Sequence, residues 1–197
     1  MNTIELQHIM NHGPWLKHLH GRVLAKNLLP QKKDQKTRAF IVNTDNSDQP
    51  GTHWVVVYFS ESGNSYYFDS YGLPPLHEEI TQFLNQNSVK PWTSNHQRVQ
   101  SLFSSLCGMY CVFALDTLSR GYDIQQYLRH KFYNTDYFHN DQLVIQWFQQ
   151  NYGILYTNAQ RQSVNEKCQT CSPKHHHHEM TVHFPCLNKL NGSHAYL

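Results

Sequence analysis

The sequence predicts an α+β fold in which helices flank a short, mostly antiparallel β-sheet. Three runs rich in β-branched and aromatic residues, at positions 39–43, 54–59 and 66–69, follow one another closely, with turn-forming residues between them. Segments with apolar residues at helical spacing lie before and after these runs. At 197 residues, the chain is long enough to bury one substantial hydrophobic core.

The first predicted element is a helix that precedes the sheet. Thr3 is suited to cap a helix that runs to about His12, and the Gly13-Pro14 pair would end it. A polar, basic loop at 32–38 then leads into the first predicted strand, 39–43. One helix is therefore expected to pack against the sheet from the N-terminal side of the chain.

The next two strands form a predicted hairpin. The runs 54–59 and 66–69 are joined by residues 62–65, a segment of serine, glycine and asparagine that favours a turn. In such a hairpin, the start of the first strand and the end of the second lie side by side, at the same end of the two strands. We therefore expect side chains near positions 53 and 69 to lie close together.

The elements after the hairpin are mainly helices. In chain order they are a helix at 76–87, a last strand at 96–100, an apolar helix from Cys107 that ends near Gly121, a helix at 124–132, and a final helix capped by Asn140 and ended by Gly153. These helices supply the layers that flank the predicted sheet.

Three residues at the boundaries of these elements have the chemistry of a thiol-dependent hydrolase. Cys107 begins an apolar helix, where the positive end of the helix dipole favours a thiolate. His53 opens one strand of the hairpin and Asp69 closes the other, so a base and the carboxylate that orients it can meet. Gln100 lies shortly before the cysteine and carries a side-chain amide donor.

Each of these residues also has a plainer interpretation. A cysteine before an apolar helix is often a small core residue, and an aspartate after a strand often serves only a turn. A histidine at a strand start is commonly a surface residue. Their occurrence together, each at the element boundary where the chemistry needs it, favours a catalytic site over these separate explanations.

The sequence around these positions resembles the adenovirus-type cysteine endopeptidases (adenain-like), including the proteases of Maverick/Polinton elements. That family belongs to the clan that also holds the SUMO-deconjugating, or Ulp-type, proteases. The segments that carry the resemblance are Ala39-Phe40-Ile41-Val42-Asn43-Thr44, Gly51-Thr52-His53-Trp54, Tyr67-Phe68-Asp69-Ser70-Tyr71-Gly72, and positions 100–113.

The resemblance implies an adenain/Ulp-like fold and a role for each candidate residue. Cys107 would be the nucleophile, His53 the base and Asp69 the orienting acid. The side chain of Gln100 and the backbone N–H of Cys107 would stabilise the oxyanion, and Trp54 would shield the site. The resemblance implies a protein or peptide as the substrate, and we expect no required cofactor.

The spacing before the nucleophile separates the two branches of the clan. Gln100 precedes Cys107 by seven positions, as in the adenoviral pattern. The SUMO-protease pattern is usually one position shorter and has aspartate immediately before the cysteine, where this chain has Leu106. Cys111, one helical turn after the nucleophile, is also similar to the adenoviral form, although a buried helix-face residue explains it as well.

Activation by known adenoviral cofactors is a separate expectation. The adenoviral enzyme is activated by a viral peptide that forms a disulfide with an upstream cysteine, but no cysteine precedes Cys107 here, so we expect no such activation.

Adenoviral relatives also bind DNA. A basic cluster that could contact DNA phosphates, or could be an ordinary solvated surface, contains Lys17, Lys26, Lys32, Lys33, Lys36 and Arg38.

The composition changes after Gly153, which divides the chain into a predicted protease domain, 1–156, and a polar tail, 157–197, expected to be disordered. The tail contains two short groups of potential zinc ligands, and these are Cys168, Cys171, His175–His178, His183 and Cys186. A mobile tail with adventitious metal affinity is the alternative to a zinc site.

Composition also bears on the compartment. The net charge of +2 argues neither for nor against nucleic-acid binding. The N-terminal residues lack the basic and apolar regions of a signal peptide, and no apolar run has the length of a membrane span. Five cysteines, none in the first half of the chain, suit a reducing compartment. We expect an intracellular protein, in the host nucleus or a virion, without a membrane partner.

Three functions remain open from the sequence. The first is a viral or transposon-encoded endopeptidase that cleaves capsid or core precursor proteins. The second is a deconjugating protease for ubiquitin-like modifiers, which would need a groove for a Gly-Gly C-terminus. The third is a catalytically silent binding module of the same fold. The complete set of His53, Asp69, Gln100 and Cys107 disfavours the third, and the spacing favours the first over the second.

Overall fold

A five-stranded sheet forms the centre of the fold, and helices pack on both of its faces. The computed structural model describes the backbone of residues 1–170 and the side chains of residues 1–160. The elements are α1 (Thr3–His12), β1 (Arg22–Ala25), β2 (Ala39–Asn43), β3 (Trp54–Phe59), β4 (Ser65–Phe68), α2 (Glu78–Asn87), β5 (Thr93–Ser94), α3 (Cys107–Ser119), α4 (Ile124–Lys131) and α5 (Tyr137–Thr170).

The strands lie in the sheet in the same order as in the chain. The three central strands, β2, β3 and β4, are antiparallel to one another. β1 and β5 each join an edge in parallel orientation, so the complete sheet is mixed. The α+β class predicted from the sequence is confirmed.

Both faces of the central strands are covered, which explains why their sequences are apolar without alternation. Ile41 and Val56 belong to a core formed with α1, α3 and α5 on one face. Phe40 and Val57 belong to a second core on the other face, where Phe83 of α2 packs edge-on against Phe40 with ring centroids 4.9 Å apart. The candidate nucleophile lies on the α3 side.

The β3–β4 hairpin sets the geometry of the site. Gly63 has φ +81°, a conformation that glycine adopts without strain, and it lies in the turn between the two strands. The register pairs Val56 with Phe68. Continued by three residues beyond that pair, the same register places His53 opposite Tyr71. The hairpin therefore brings the segment after β4 to the start of β3.

The N-terminal cap of α1 differs from the sequence prediction. Asn2, not Thr3, caps the helix: its side chain accepts from the N–H of Glu5 at 2.9 Å, and the Glu5 carboxylate accepts from the N–H of Asn2 at 2.9 Å. The predicted end holds, since α1 stops at His12 and Gly13 is its C-cap.

The last strand was also assigned wrongly from the sequence. Positions 96–100 are not a strand; among the described residues the last strand is β5, two residues long and earlier in the chain. The N–H groups of Val99 and Gln100 both donate to the carbonyl of Ser70, at 2.9 and 3.1 Å, and so are used by the turn after β4 instead of a ladder. β1 was not predicted at all.

The final helix is longer than predicted at both ends. Asn140 does not cap it but lies within α5, where its side chain bonds both the N–H and the carbonyl of Tyr133 at 2.8 Å. Gly153 does not end it either, and the helix continues to Thr170, so residues 157–170 of the predicted tail are helical. A helical glycine costs only about 1 kcal/mol, which the packing of the fully buried Phe148 and its neighbours offsets. None of the helices in this described region is long and apolar enough to cross a membrane.

Candidate active site

The structure brings the predicted base and its carboxylate into contact. His53 immediately precedes β3, Asp69 immediately follows β4, and Nε2 of the imidazole lies 3.0 Å from Oδ1 of the carboxylate. The antiparallel pairing of the hairpin accounts for this contact. Cys107 is the first residue of α3, which packs against β3, so the thiol lies on the same side of the sheet.

Asp69 is almost fully buried and is fixed by more than the imidazole. Its Oδ1 also accepts from the backbone N–H of Tyr71 at 2.7 Å. The side chain of Asn95 accepts from the N–H of Asp69 at 2.9 Å and donates to its carbonyl at 2.7 Å. These contacts set the orientation of the carboxylate, which in turn sets the orientation of the His53 ring.

The environment of His53 favours the imidazolium. Burial, the largest single effect, lowers its pKa, but the hydrogen bond to Asp69 and the interaction with the Cys107 thiol together raise the pKa to about 9. Nε2 is taken by the carboxylate. Nδ1 is buried and has no hydrogen-bond partner of acceptable geometry in the described part of the chain. Nδ1 is therefore the nitrogen left to exchange a proton with the thiol or a substrate, and such contacts often tighten only when substrate binds.

The environment of Cys107 favours the thiolate. Burial, again the largest effect, raises its pKa, but His53 and the backbone N–H groups of Trp54 and Gly108 outweigh burial and lower the pKa below the usual value. The start of α3 has no side-chain cap, and the N–H of Met109 donates to the carbonyl of Leu106 at 2.9 Å. The raised pKa of His53 and the lowered pKa of Cys107 both favour an imidazolium–thiolate pair over the two neutral groups.

The second thiol of α3 has the opposite character. Cys111 is fully buried, and burial, followed by the charges of Cys107 and Asp69, raises its pKa well above the usual value. A neutral, inaccessible thiol is a poor nucleophile. The two cysteines, one turn apart on a single helix, are therefore chemically distinct, and only Cys107 has the character of a nucleophile.

Gln100 is fully buried and its amide is held at both ends. Its Oε1 accepts from the hydroxyl of Ser70 at 2.6 Å, which fixes the orientation of the amide. Its Nε2 donates toward the carbonyl of Ser104 at 2.8 Å and toward the Ser104 hydroxyl at 3.1 Å. The amide nitrogen thus faces the loop that leads to Cys107. To serve as an oxyanion donor, it must release one of its contacts with Ser104.

Trp54 contacts the N-terminal segment and the thiol through different groups. Its indole is largely buried, and Nε1 donates to the carbonyl of Met1 at 3.1 Å. The side chain of Met1 also packs against Gly108, where an added Cβ would lie 3.1 Å from the Met1 Cβ. The indole belongs to the same core cluster as Cys107. The N–H contribution of Trp54 to the thiolate is a feature that the sequence did not indicate.

Two further residues of the site were missed by the sequence interpretation. The ring of Tyr71 stacks on His53 with centroids 4.8 Å apart, and Asn95 holds the backbone of Asp69. The hairpin register could have indicated Tyr71, because position 71 lies opposite position 53. No signal in the sequence indicated Asn95, because it comes from a separate loop.

Two residues of the predicted basic cluster pair with carboxylates, and the candidate zinc ligands lie outside the residues whose side chains are described. Within the basic cluster, Lys26 lies 3.9 Å from a carboxylate oxygen of Glu79, and Arg38 forms an ion pair with Glu61. The side chains of the candidate zinc ligands, all of which lie beyond position 160, are not among the described residues.

No family model and no curated protein matches the sequence. Among solved structures, the chain is similar to the ASFV pS273R protease in two crystal structures. In one, identity is 22% over 48% of this chain and 39% of that chain, with a TM-score of 0.35. In the other, identity is 17% over 48% and 38%, with a TM-score of 0.37. This chain is also similar to the central domain of the uncharacterized Lpg1148 protein from Legionella pneumophila. Identity is 14% over 84% of this chain and 96% of that chain, with a TM-score of 0.41. The chain thus matches less than half the length of the viral protease.

Proposed function

We propose that the protein is a cysteine peptidase that hydrolyses peptide bonds with Cys107 as nucleophile. The observation that carries this proposal is the contact of His53 with Asp69, 3.0 Å between Nε2 and Oδ1, beside a thiol whose pKa the same imidazole lowers. The pKa of His53 is raised to about 9 while the pKa of Cys107 is lowered, although burial of both groups acts in the opposite direction. A purely structural cysteine in a buried position would have a raised pKa, as Cys111 does.

The reaction then proceeds through a thioester. The Cys107 sulfur attacks the scissile carbonyl carbon, and the carbonyl π electrons move to oxygen. The backbone N–H of Cys107 and the amide of Gln100 stabilise that oxyanion. As the C–N bond breaks, His53 gives its Nδ1 proton to the leaving amine, while Asp69 keeps the ring oriented through Nε2. Water then attacks the thioester, with Nδ1 taking its proton, and releases the acid and the thiolate.

The substrate class follows from the sequence resemblance. We propose polypeptide precursors of a viral or transposon particle, supported by the seven-position interval between Gln100 and Cys107 and by Leu106 before the nucleophile. Deconjugation of a ubiquitin-like modifier shares the same chemistry and is the alternative that the experiment must separate.

The experiment combines a labelling assay with an activity assay. Iodoacetamide at neutral pH should label Cys107 much faster than Cys111, as read by peptide mapping, because only a thiolate reacts readily. A proteome-derived peptide library should be cleaved by the wild type and by Cys111→Ala, and not by Cys107→Ala. Vinyl-sulfone probes built on ubiquitin and SUMO should leave Cys107 unmodified. Wild-type turnover by Cys107→Ala would disprove the proposal, and rapid modification by a modifier probe would favour deconjugation.

A further inference from the structure

The loop that leads into α3 makes a tight turn whose two central side chains are large and apolar. The N–H of Ser104 donates to the carbonyl of Ser101 at 3.3 Å, so Leu102 and Phe103 occupy the central positions of a β-turn. Leu102 is 62% exposed, and Phe103 is 100% exposed. Nothing in the described part of the chain removes the phenyl ring from solvent.

Hydrogen bonds on both sides hold this turn in place. Inside the turn, the Ser101 hydroxyl accepts from the N–H of Phe103 at 3.3 Å, and the Ser104 hydroxyl donates to the carbonyl of Ser101 at 3.2 Å. Outside it, the amide of Gln100 bonds the Ser104 carbonyl at 2.8 Å, and the N–H of Ser101 points to the Asp141 carboxylate at 3.4 Å. The exposed side chains therefore project from a backbone that is already ordered.

The residue types are unusual for such a turn. Central turn positions favour glycine, asparagine, aspartate, proline and serine, each for a conformational reason. A single exposed apolar residue is ordinary on a protein surface. Here two adjacent apolar side chains are exposed at the tip of a fixed turn, in a segment without charged residues at 101–106. Their position is what distinguishes them, because the segment begins after Gln100 and ends before Cys107.

We propose that Leu102 and Phe103 determine specificity by binding an apolar side chain of the polypeptide substrate close to the scissile bond. This inference rests on the proposed peptidase function. The scissile carbonyl must meet both the Cys107 sulfur and the oxyanion donors, so the substrate backbone passes beside the loop that links Gln100 to the nucleophile. An aromatic side chain on an ordered backbone loses little conformational freedom on binding, which makes it an effective anchor.

The occupant is an extended substrate segment and not a folded partner. The turn presents only two apolar side chains, which suit one or two residues of a peptide and not the larger area of a stable protein interface. The absence of charge in the loop matches an apolar residue in the substrate and disfavours an acidic or basic one.

The test uses the full-length protein and serine substitutions, because serine suits a turn and should leave it intact. The probe is a proteome-derived peptide library, read by mass spectrometry, followed by two synthetic peptides. One peptide carries the most favoured apolar residue near the cleaved bond, and the other carries serine at that position. The matched control is Val89→Ser, since Val89 is 85% exposed and lies beside Gly63, at the opposite end of the hairpin from His53.

We expect the wild type and Val89→Ser to prefer the apolar peptide equally. Phe103→Ser should lower kcat/KM for the apolar peptide by roughly tenfold or more, as the loss of an apolar contact does, and leave the serine peptide unchanged. Leu102→Ser should have a smaller effect of the same kind, because Leu102 is less exposed.

The outcomes separate this inference from the function on which it rests. If the wild type cleaves no peptide and iodoacetamide does not distinguish Cys107 from Cys111, the peptidase proposal fails and the inference fails with it. If the wild type cleaves but both serine variants keep its preference, only the specificity contact is overturned. Equal loss of activity toward both peptides would show that the turn shapes the catalytic loop without selecting substrates, and would also overturn the inference.

Discussion

His53 and Tyr71 stack face to face, with ring centroids 4.8 Å apart and ring planes inclined by 29°. Burial is the main factor that raises the pKa of the Tyr71 hydroxyl, and the charges of Cys107 and Asp69 raise it further, so the phenol stays neutral near neutral pH. The face of a neutral aromatic ring attracts a cation. The stack therefore stabilises the imidazolium form of His53 and restricts rotation of its ring.

Removal of this stack should reduce catalysis without abolishing it. Tyr71→Ala should lower kcat/KM by up to roughly thirtyfold, because stacking and cation–π contacts contribute about 0.5–2 kcal/mol. Tyr71→Phe keeps the ring and should retain most activity. The pH dependence of iodoacetamide labelling should place the His53 ionisation at lower pH in the alanine variant than in the phenylalanine variant. Equal His53 ionisation in both variants would show that the ring only fills space.

The pH profile of peptide hydrolysis should be bell-shaped with an alkaline falling limb. The rate should rise as Cys107 ionises, below the usual range for a thiol, because the pKa of Cys107 is lowered. It should fall as pH passes about 9, because His53 then loses the proton that the leaving amine requires. Measurement of kcat/KM across pH in buffers of constant ionic strength tests both limbs.

Asp69 should determine where that falling limb lies. Among the contributions that raise the pKa of His53, the hydrogen bond to Asp69 is the largest, acting against the burial effect. Asp69→Asn keeps the shape of the side chain and removes its charge, so the falling limb should move to lower pH. A falling limb that stays near pH 9 in this variant would assign the limb to a group other than His53.

Gln100 should act on the transition state. Gln100→Ala should lower kcat on the order of a hundredfold with little change in KM, because the amide acts on the oxyanion and not on the bound substrate. The substitution also leaves the Ser70 hydroxyl without its partner, so the free energy of unfolding should fall by about 1–3 kcal/mol. Urea unfolding must accompany the kinetics. A matched control is Ser70→Ala, which removes only the hydrogen bond that orients the Gln100 amide. If Gln100→Ala changed only KM, Gln100 would be a binding residue.

The contact between His53 and Asp69 could be predicted from the sequence because it depends on one hairpin. Strands rich in β-branched and aromatic residues, a turn rich in glycine and serine, and the two flanking residues are all local in the chain. The role of Asn95 could not be predicted in this way. The contact of Asn95 with Asp69 depends on a close approach of two loops at Gly72. Gly72 has φ +70°, and an added Cβ there would lie 2.7 Å from the backbone nitrogen of Arg98.

Elements that depend on distant partners were missed or misplaced for the same reason. β1 is a strand only because it pairs in parallel with β2, with Arg22 opposite Phe40. The helix signals at Asn140 and Gly153 were local, but Tyr152 and Ala159, on either side of Gly153, are both buried, and this packing carries the helix past Gly153. Local propensity is a weak guide where tertiary packing provides most of the helix stability.

The course of α5 changes where the chain can be shortened. Position 156 was the predicted end of the domain, but Ala159 is fully buried, and Tyr156 packs on Phe148 with ring centroids 5.6 Å apart. A chain that ends at Gln160 should therefore keep the full-length stability and kcat/KM for a short peptide. A chain that ends at Tyr156 should lose about 1 kcal/mol of unfolding free energy, roughly the value of one buried methyl group, and more if the helix end frays.

Urea unfolding and peptide kinetics on the full-length chain and both shortened chains measure these differences, each with and without a chelator. We expect the chelator to change neither the unfolding free energy nor the peptide kinetics of any of the three chains. The groups that hold His53, Asp69 and Cys107 all lie before position 160. A drop in the unfolding midpoint on shortening to Gln160, matched by the same drop when the full-length protein is treated with chelator, would instead show that a metal held beyond position 160 stabilises the catalytic domain.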